Sequence, residues 1–220
     1  MATRFYTDPT NEPAVSPAFR SWTDTSQAVR RKLVIDTPGN NASTNFYVDE
    51  TATLYDHILV VQFVSEPLDS ITVALSACKH VFRCIESNSK ANAVSVYKII
   101  KCDSDGSNPV EIDGYTDDVE YDNGDLTARL YGPRNFYSDV TLSQGDRLVF
   151  EIGVRFAYDK VSGYNATISV TDNHATDDLP ENDTETAVYN SWMETGDTFT
   201  VASGDPPWEV VKLGPMFAFA

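Results

Sequence analysis

Positive charge is scarce in this sequence. Sixteen Lys and Arg stand against 33 Asp and Glu in 220 residues, a net charge of −17. A body of that sign repels phosphate backbones, so DNA and RNA are excluded as its ligands. Cysteine is also sparse. Cys78, Cys84 and Cys102 are too few, and odd in number, for a disulfide scaffold. No run approaches the ~20 apolar residues of a membrane span. The first 30 residues hold no continuous apolar stretch, so no signal peptide is read and synthesis in a reducing cytoplasm is expected. Histidine occurs three times, at His57, His80 and His174, and no G-x-S-x-G is present. Abundant carboxylates are not in themselves a glycosidase pair. No enzyme activity and no cofactor are expected.

Helical periodicity is nearly missing too, apart from a short helix that Thr23 or Asp24 would cap over Thr25 to Lys32. What the chain has instead is alternation. In Ile71–Ile85, Cys78, His80, Phe82 and Cys84 share one parity while Lys79 and Arg83 share the other. Leu148, Phe150, Ile152 and Val154 alternate likewise after the Gly145-Asp146 turn. Leu54–Val64, Ala93–Cys102, Leu126–Tyr131, Tyr164–Val170, Thr198–Ala202 and Glu209–Leu213 read as further strands, with 71–85 and 93–102 as a hairpin. Asp-Gly at 105–106 and Asn-Gly at 123–124 mark turns in an acidic loop. Eight or nine short strands define an all-β fold, a single β-sandwich of jelly-roll type.

Charge divides the chain into three parts. Residues 1–35 carry Arg4, Arg20, Arg30, Arg31 and Lys32 against Asp8, Glu12 and Asp24, a net of +2 that leaves −19 to the remainder. With Pro9, Pro13 and Pro17, residues 1–50 read as an extended N-terminal arm, residues 51–202 as the sandwich, and 203–220 as an apolar C-terminal tail. The expected partner contacts are Arg4, Phe5, Tyr6, Phe19, Trp22, Arg30, Arg31 and Lys32 of the arm, with Trp208, Phe217 and Phe219 of the tail. The acidic body would then receive basic, aromatic arms from neighbouring molecules.

Other clusters have plainer readings. Cys78, His80, Cys84 and Cys102 have zinc-binding atoms, but no two cysteines sit at knuckle spacing, so buried core thiols are preferred. The acidic runs 111–125 and 172–185 offer oxygens for calcium, and solvated turns are the reading preferred to it. Trp192 and Trp208 could line a sugar groove, although core packing and tail docking are preferred.

The order of several motifs is familiar. Arg4-Phe5-Tyr6, Ala14-Val15-Ser16-Pro17-Ala18-Phe19, Trp22-Thr23-Asp24-Thr25 and Arg30-Arg31 open the series. Glu86-Ser87-Asn88 with Ala91-Asn92-Ala93, Gly145-Asp146-Arg147-Leu148-Val149-Phe150-Glu151-Ile152-Gly153 and Asp177-Asp178-Leu179-Pro180-Glu181 continue it. Over residues 3–202 the chain resembles a family of virion structural proteins of tailed bacteriophages, widespread in environmental phage genomes. The resemblance implies a non-enzymatic particle component with a sandwich body. A capsid decoration or cement protein is expected, stabilising the head by arm contacts with the major capsid protein, as a homo-oligomer, by expectation a trimer. The alternative is a tail, neck or baseplate accessory protein that touches host glycans.

Overall fold

The computed structural model describes residues 2–35, 38–50, 56–73, 77–135, 139–156 and 163–202. Among them there are thirteen strands and no helix. The first seven are β1 (Thr3–Asp8), β2 (Val29–Ile35), β3 (Asn40–Asp49), β4 (His57–Ser65), β5 (Ile71–Val73), β6 (Ala77–Glu86) and β7 (Ala93–Cys102). Then come β8 (Val110–Glu120), β9 (Thr127–Asn135), β10 (Val140–Leu142), β11 (Arg147–Phe156), β12 (Asn165–Asn173) and β13 (Trp192–Thr195). Eleven strands join one mixed sheet in the order β3-β12-β6-β13-β1-β2-β4-β11-β7-β8, with β9 on the other side of β6. The pairing of β2 with β4 is parallel, and β5 with β10 forms a separate two-stranded ribbon.

The sheet folds over on itself around an aromatic core. His80 of β6 lies 4.7 Å from the Tyr97 ring of β7 and 4.8 Å from Phe150 of β11. These strands are not hydrogen-bonded neighbours of β6, so the rings meet across the interior, Tyr97 edge-on and Phe150 tilted. The expected hairpin of 71–85 with 93–102 therefore does not form: β6 pairs with β9, β12 and β13, and β7 pairs with β8 and β11. The turn at 87–92, with Asn92 in the left-handed region at φ 47°, instead carries the chain across the core. The predicted core faces hold. Cys78, His80, Phe82 and Cys84 are buried, as are Leu148, Phe150, Ile152 and Val154.

The largest departure concerns the N-terminal segment. Residues 1–50 are not an extended arm, because β1 lies between β13 and β2, and β2 lies between β1 and β4. Phe5 is 0% exposed and packs edge-on against Phe199 at 5.5 Å. The expected helix over 25–32 is also absent. Ser26 N–H does donate to Asp24 Oδ1 at 2.7 Å, as at a helix cap, but the chain then runs into β2. Val29, Val34 and Ile35 are β-branched, and ladders on both sides outweigh a weak local helix preference. The acidic run 111–125, read as a loop, contains β8, and β13 was not anticipated. Val201 makes only an isolated bridge to Leu68. The tail segment 203–220, Glu209–Leu213 included, lies outside the described residues.

Two irregular segments then cover the outer faces of the sheet. Residues 9–28, between β1 and β2, cross β4, β11 and β7. There Val15 packs on a small apolar cluster of Val64, Ile100, Cys102 and Val149. Residues 174–191 cover β9, β6, β13 and β1, where Leu179 and Tyr189 complete a cluster with Tyr6, Val81, Ala128 and Trp192.

Candidate functional site

The polar residues singled out in the sequence gather in two places. The first is the crossing of residues 9–28 over the sheet. Glu151 on β11 is completely buried, and its carboxylate accepts from Trp22 Nε1 at 2.5 Å and Gln62 Nε2 at 2.7 Å. Burial pushes its pKa up, and those two hydrogen bonds oppose the rise. Arg30 donates through Nε to Gln62 Oε1 at 2.9 Å and through Nη2 to the Pro17 carbonyl at 3.1 Å. Its guanidinium also lies 4.0 Å from the Phe19 ring centroid. Lys98 stands 5.5 Å from the Trp22 ring and pairs with Glu111 at 3.0 Å.

Gly153 lets the indole approach the sheet closely, since a Cβ there would collide with the Ile58 carbonyl and the Trp22 ring. Beside this crossing lies a shallow cleft of about 190 Å³, lined by His57, Lys98, Glu111 and Tyr115. Trp22→Ala should destabilise the protein by about 2–4 kcal/mol, because it opens a void and strips Glu151 of a donor. Trp22→Phe should lose only the hydrogen-bond part, about 1–2 kcal/mol. Urea unfolding of both variants measures the split.

The second place is the flank formed by β1, β13 and β6. Arg4 pairs with Asp178 at 2.7 Å and Glu194 at 2.8 Å, and lies 4.0 Å from the Trp192 ring centroid. Tyr6 donates to Asp178 at 2.9 Å, and burial first, then that carboxylate, pushes its pKa up to about 12. Lys79 reaches Glu181 at 2.5 Å and Glu194 at 3.0 Å. Trp192 is buried and donates to the Leu179 carbonyl at 2.8 Å, which fits core packing and leaves no ring for a sugar.

The remaining expected contact residues are engaged within the molecule as well. Arg31 donates to the carbonyls of Pro9 and Arg30 at 2.6 and 2.7 Å, and Lys32 approaches Glu66 at 3.5 Å. Arg4, Phe5, Tyr6, Phe19, Trp22, Arg30, Arg31 and Lys32 thus make contacts within their own fold and do not stand out on a free arm. Basic residues in so acidic a chain find carboxylates and carbonyls at home first. Trp208, Phe217 and Phe219 lie outside the described residues.

Cys78, Cys84 and Cys102 are buried free thiols. Burial raises all three, Cys84 to about 12 and Cys102 to about 11, so they are protonated and unreactive. Among the described residues, no group of three or more His, Cys, Asp or Glu converges as a metal site. Sequence reading missed the carboxyl pair of Glu86 and Glu120. Glu86 is 1% exposed, accepts from the Ala93 N–H at 2.8 Å, and has its pKa raised to about 7 by burial, reinforced by Glu120 and Asp122. A raised folded-state value stabilises the protein below the unfolded value near 4.5, and that contribution is lost as pH rises through 7. Glu86→Gln keeps the acceptor for Ala93. It should exceed the parent in stability by about 2–3 kcal/mol at pH 8, the gap closing below pH 4.5, as urea titrations at both pH values would show.

No family model matches this chain, and no curated protein matches it in sequence. Among solved structures it is similar to a CocE/NonD family hydrolase from Staphylococcus aureus, at TM-score 0.48 and 10% identity over 89% of this chain and 36% of that one. An alpha-amino acid ester hydrolase gives TM-score 0.37 and 9% identity over 79% and 35% of the two chains. Infectious bursal disease virus, Gx strain, gives 0.21 and 8% over 86% and 42%. The chain spans little more than a third of the hydrolases' length. Similarity of this degree carries no activity across.

Proposed function

We propose that this chain is a non-enzymatic structural component of a bacteriophage particle, with a β-sandwich body of jelly-roll type. The folding of the sheet across His80, Tyr97 and Phe150 supports the sandwich. The resemblance of the ordered run of motifs to phage virion proteins supports the setting. The single observation that carries a passive, load-transmitting role is the way both long connections are fastened down. Residues 9–28 are tied by Trp22 to Glu151, and residues 174–191 by Asp178 to Arg4. Functional polar groups in enzymes face a cleft, whereas these are spent on holding the surface rigid.

Within the particle, the reading that fits best is head decoration. An acidic body suits an outer capsid surface and is repelled by packaged DNA. Contacts with the major capsid protein would be made by rigid faces and edges, since the leader is occupied inside the fold. Gel densitometry of purified particles tests this. A copy number comparable to that of the shell subunit supports head decoration. A handful of copies would instead assign the protein to the tail, neck or baseplate, and absence from particles would overturn the proposal.

A further inference from the structure

Among the described residues the sheet has three outer strands, and they differ in how their unpaired edges are protected. The edge of β9 is covered: Ala128 N–H donates to the Glu185 carbonyl at 2.7 Å and Leu130 N–H to Asp183 Oδ1 at 2.8 Å. β8 carries Glu111 and the exposed Glu120, and like charges there repel a second copy. β3 has neither device. It is ten residues long, pairs only with β12, and holds no charged residue and no proline from Asn40 to Val48.

The direction of its backbone groups follows from its end. Glu50 N–H donates to the Tyr164 carbonyl at 2.9 Å, on the β12 side. Asp49 N–H donates to Gln27 Oε1 at 3.2 Å, on the opposite side. Strand alternation then points the N–H and C=O of Tyr47 and Asn45 outward, and among the described residues nothing pairs with them. Their side chains are exposed, Tyr47 to 65%, while Phe46 and Val48 face the core.

We infer that β3 is a dimerisation edge, on which the β3 strand of a second copy pairs antiparallel about a two-fold axis. Charge selects this occupant. Two bodies of −17 approach most readily along an uncharged strip, and a self-complementary strand closes the contact in one step. A basic partner would be drawn to the carboxylates of β8 instead. The inference stands apart from the proposed function, and it replaces the trimer expectation with a dimer.

Sedimentation and light scattering over a concentration series test it on the full chain. The expected result is a monomer–dimer equilibrium. Asn45→Pro removes an outward N–H and leaves the β12 ladder intact, so it should weaken dimerisation about tenfold or more with little change in melting temperature. If that variant misfolds, Ser43→Glu with Tyr47→Glu places four carboxylates at the joint and should give the same loss. A chain that stays monomeric at its highest soluble concentration would overturn the inference. So would a trimer, or a dimer indifferent to both variants.

Discussion

Deletion of residues 2–35 is expected to leave no folded protein. A true arm could be removed without harm to the body, but this segment supplies β1 and β2, two adjacent strands in the interior of the sheet. Their loss would strip β13 and β4 of one ladder each and remove Phe5 and Leu33 from the core. Burial of those two side chains alone contributes about 3–6 kcal/mol. The same deletion removes Val15 and Trp22, uncovering Val64, Ile100, Cys102 and Val149 and leaving Glu151 buried without its indole donor. Against a typical net stability of about 5–15 kcal/mol, these losses together are not survivable. Expression of the truncated chain, followed by circular dichroism and denaturant unfolding, checks this. A soluble product with a cooperative transition would refute the placement of β1 and β2.

The same segment shows where sequence reasoning runs out. β6, β7 and β11 were legible because each is long, alternates with period 2, and is bounded by turn residues. β1 is six residues of mixed polarity, Thr-Arg-Phe-Tyr-Thr-Asp, and becomes a strand by pairing with β2 on one side and with 192–195, at the far end of the chain, on the other. No local window contains 192–195. Arg4, Arg30 and Arg31 looked like a basic tail because charge was summed along the sequence. In space Arg4 meets Asp178 and Glu194, and Arg30 meets Gln62, which is bonded to Glu151. β8 was hidden for the opposite reason. Its run of carboxylates reads as solvated loop, yet Ile112 is buried and the strand pairs with β7 along its length. The pairing of Trp22 with Glu151 had no signal in the sequence, because the two are 129 positions apart.

His80 sets the second large effect, an acid lability that one substitution should remove. Its ring is 1% exposed, stacked 4.7 Å from Tyr131 and 5.5 Å from Phe82, with Tyr97 and Phe150 closing the other sides. Nε2 has no hydrogen-bond partner. Nothing in this cage stabilises an imidazolium, and burial lowers the pKa from 6.5 to about 3. The unfolded chain therefore binds a proton in a range where the folded one does not. The neutral ring's contribution is complete above pH 6.5 and is lost as pH falls toward 3, up to about 4–5 kcal/mol in all. Glu86 acts in the opposite direction between pH 4.5 and 7, so the parent's stability should pass through a broad maximum, whereas a His80 variant should keep only the Glu86 slope. Phe is the natural replacement, as the surroundings are aromatic, with His80→Leu as the smaller alternative should the cage prove overfilled. Urea unfolding at pH 7 and pH 4 gives the difference directly. The variant's stability relative to the parent should rise as pH falls, whichever is the more stable at pH 7, because only the parent must hold an uncharged imidazole against protonation. Parallel pH profiles would mean that the ring is solvated or paired, and that the aromatic cage is not closed.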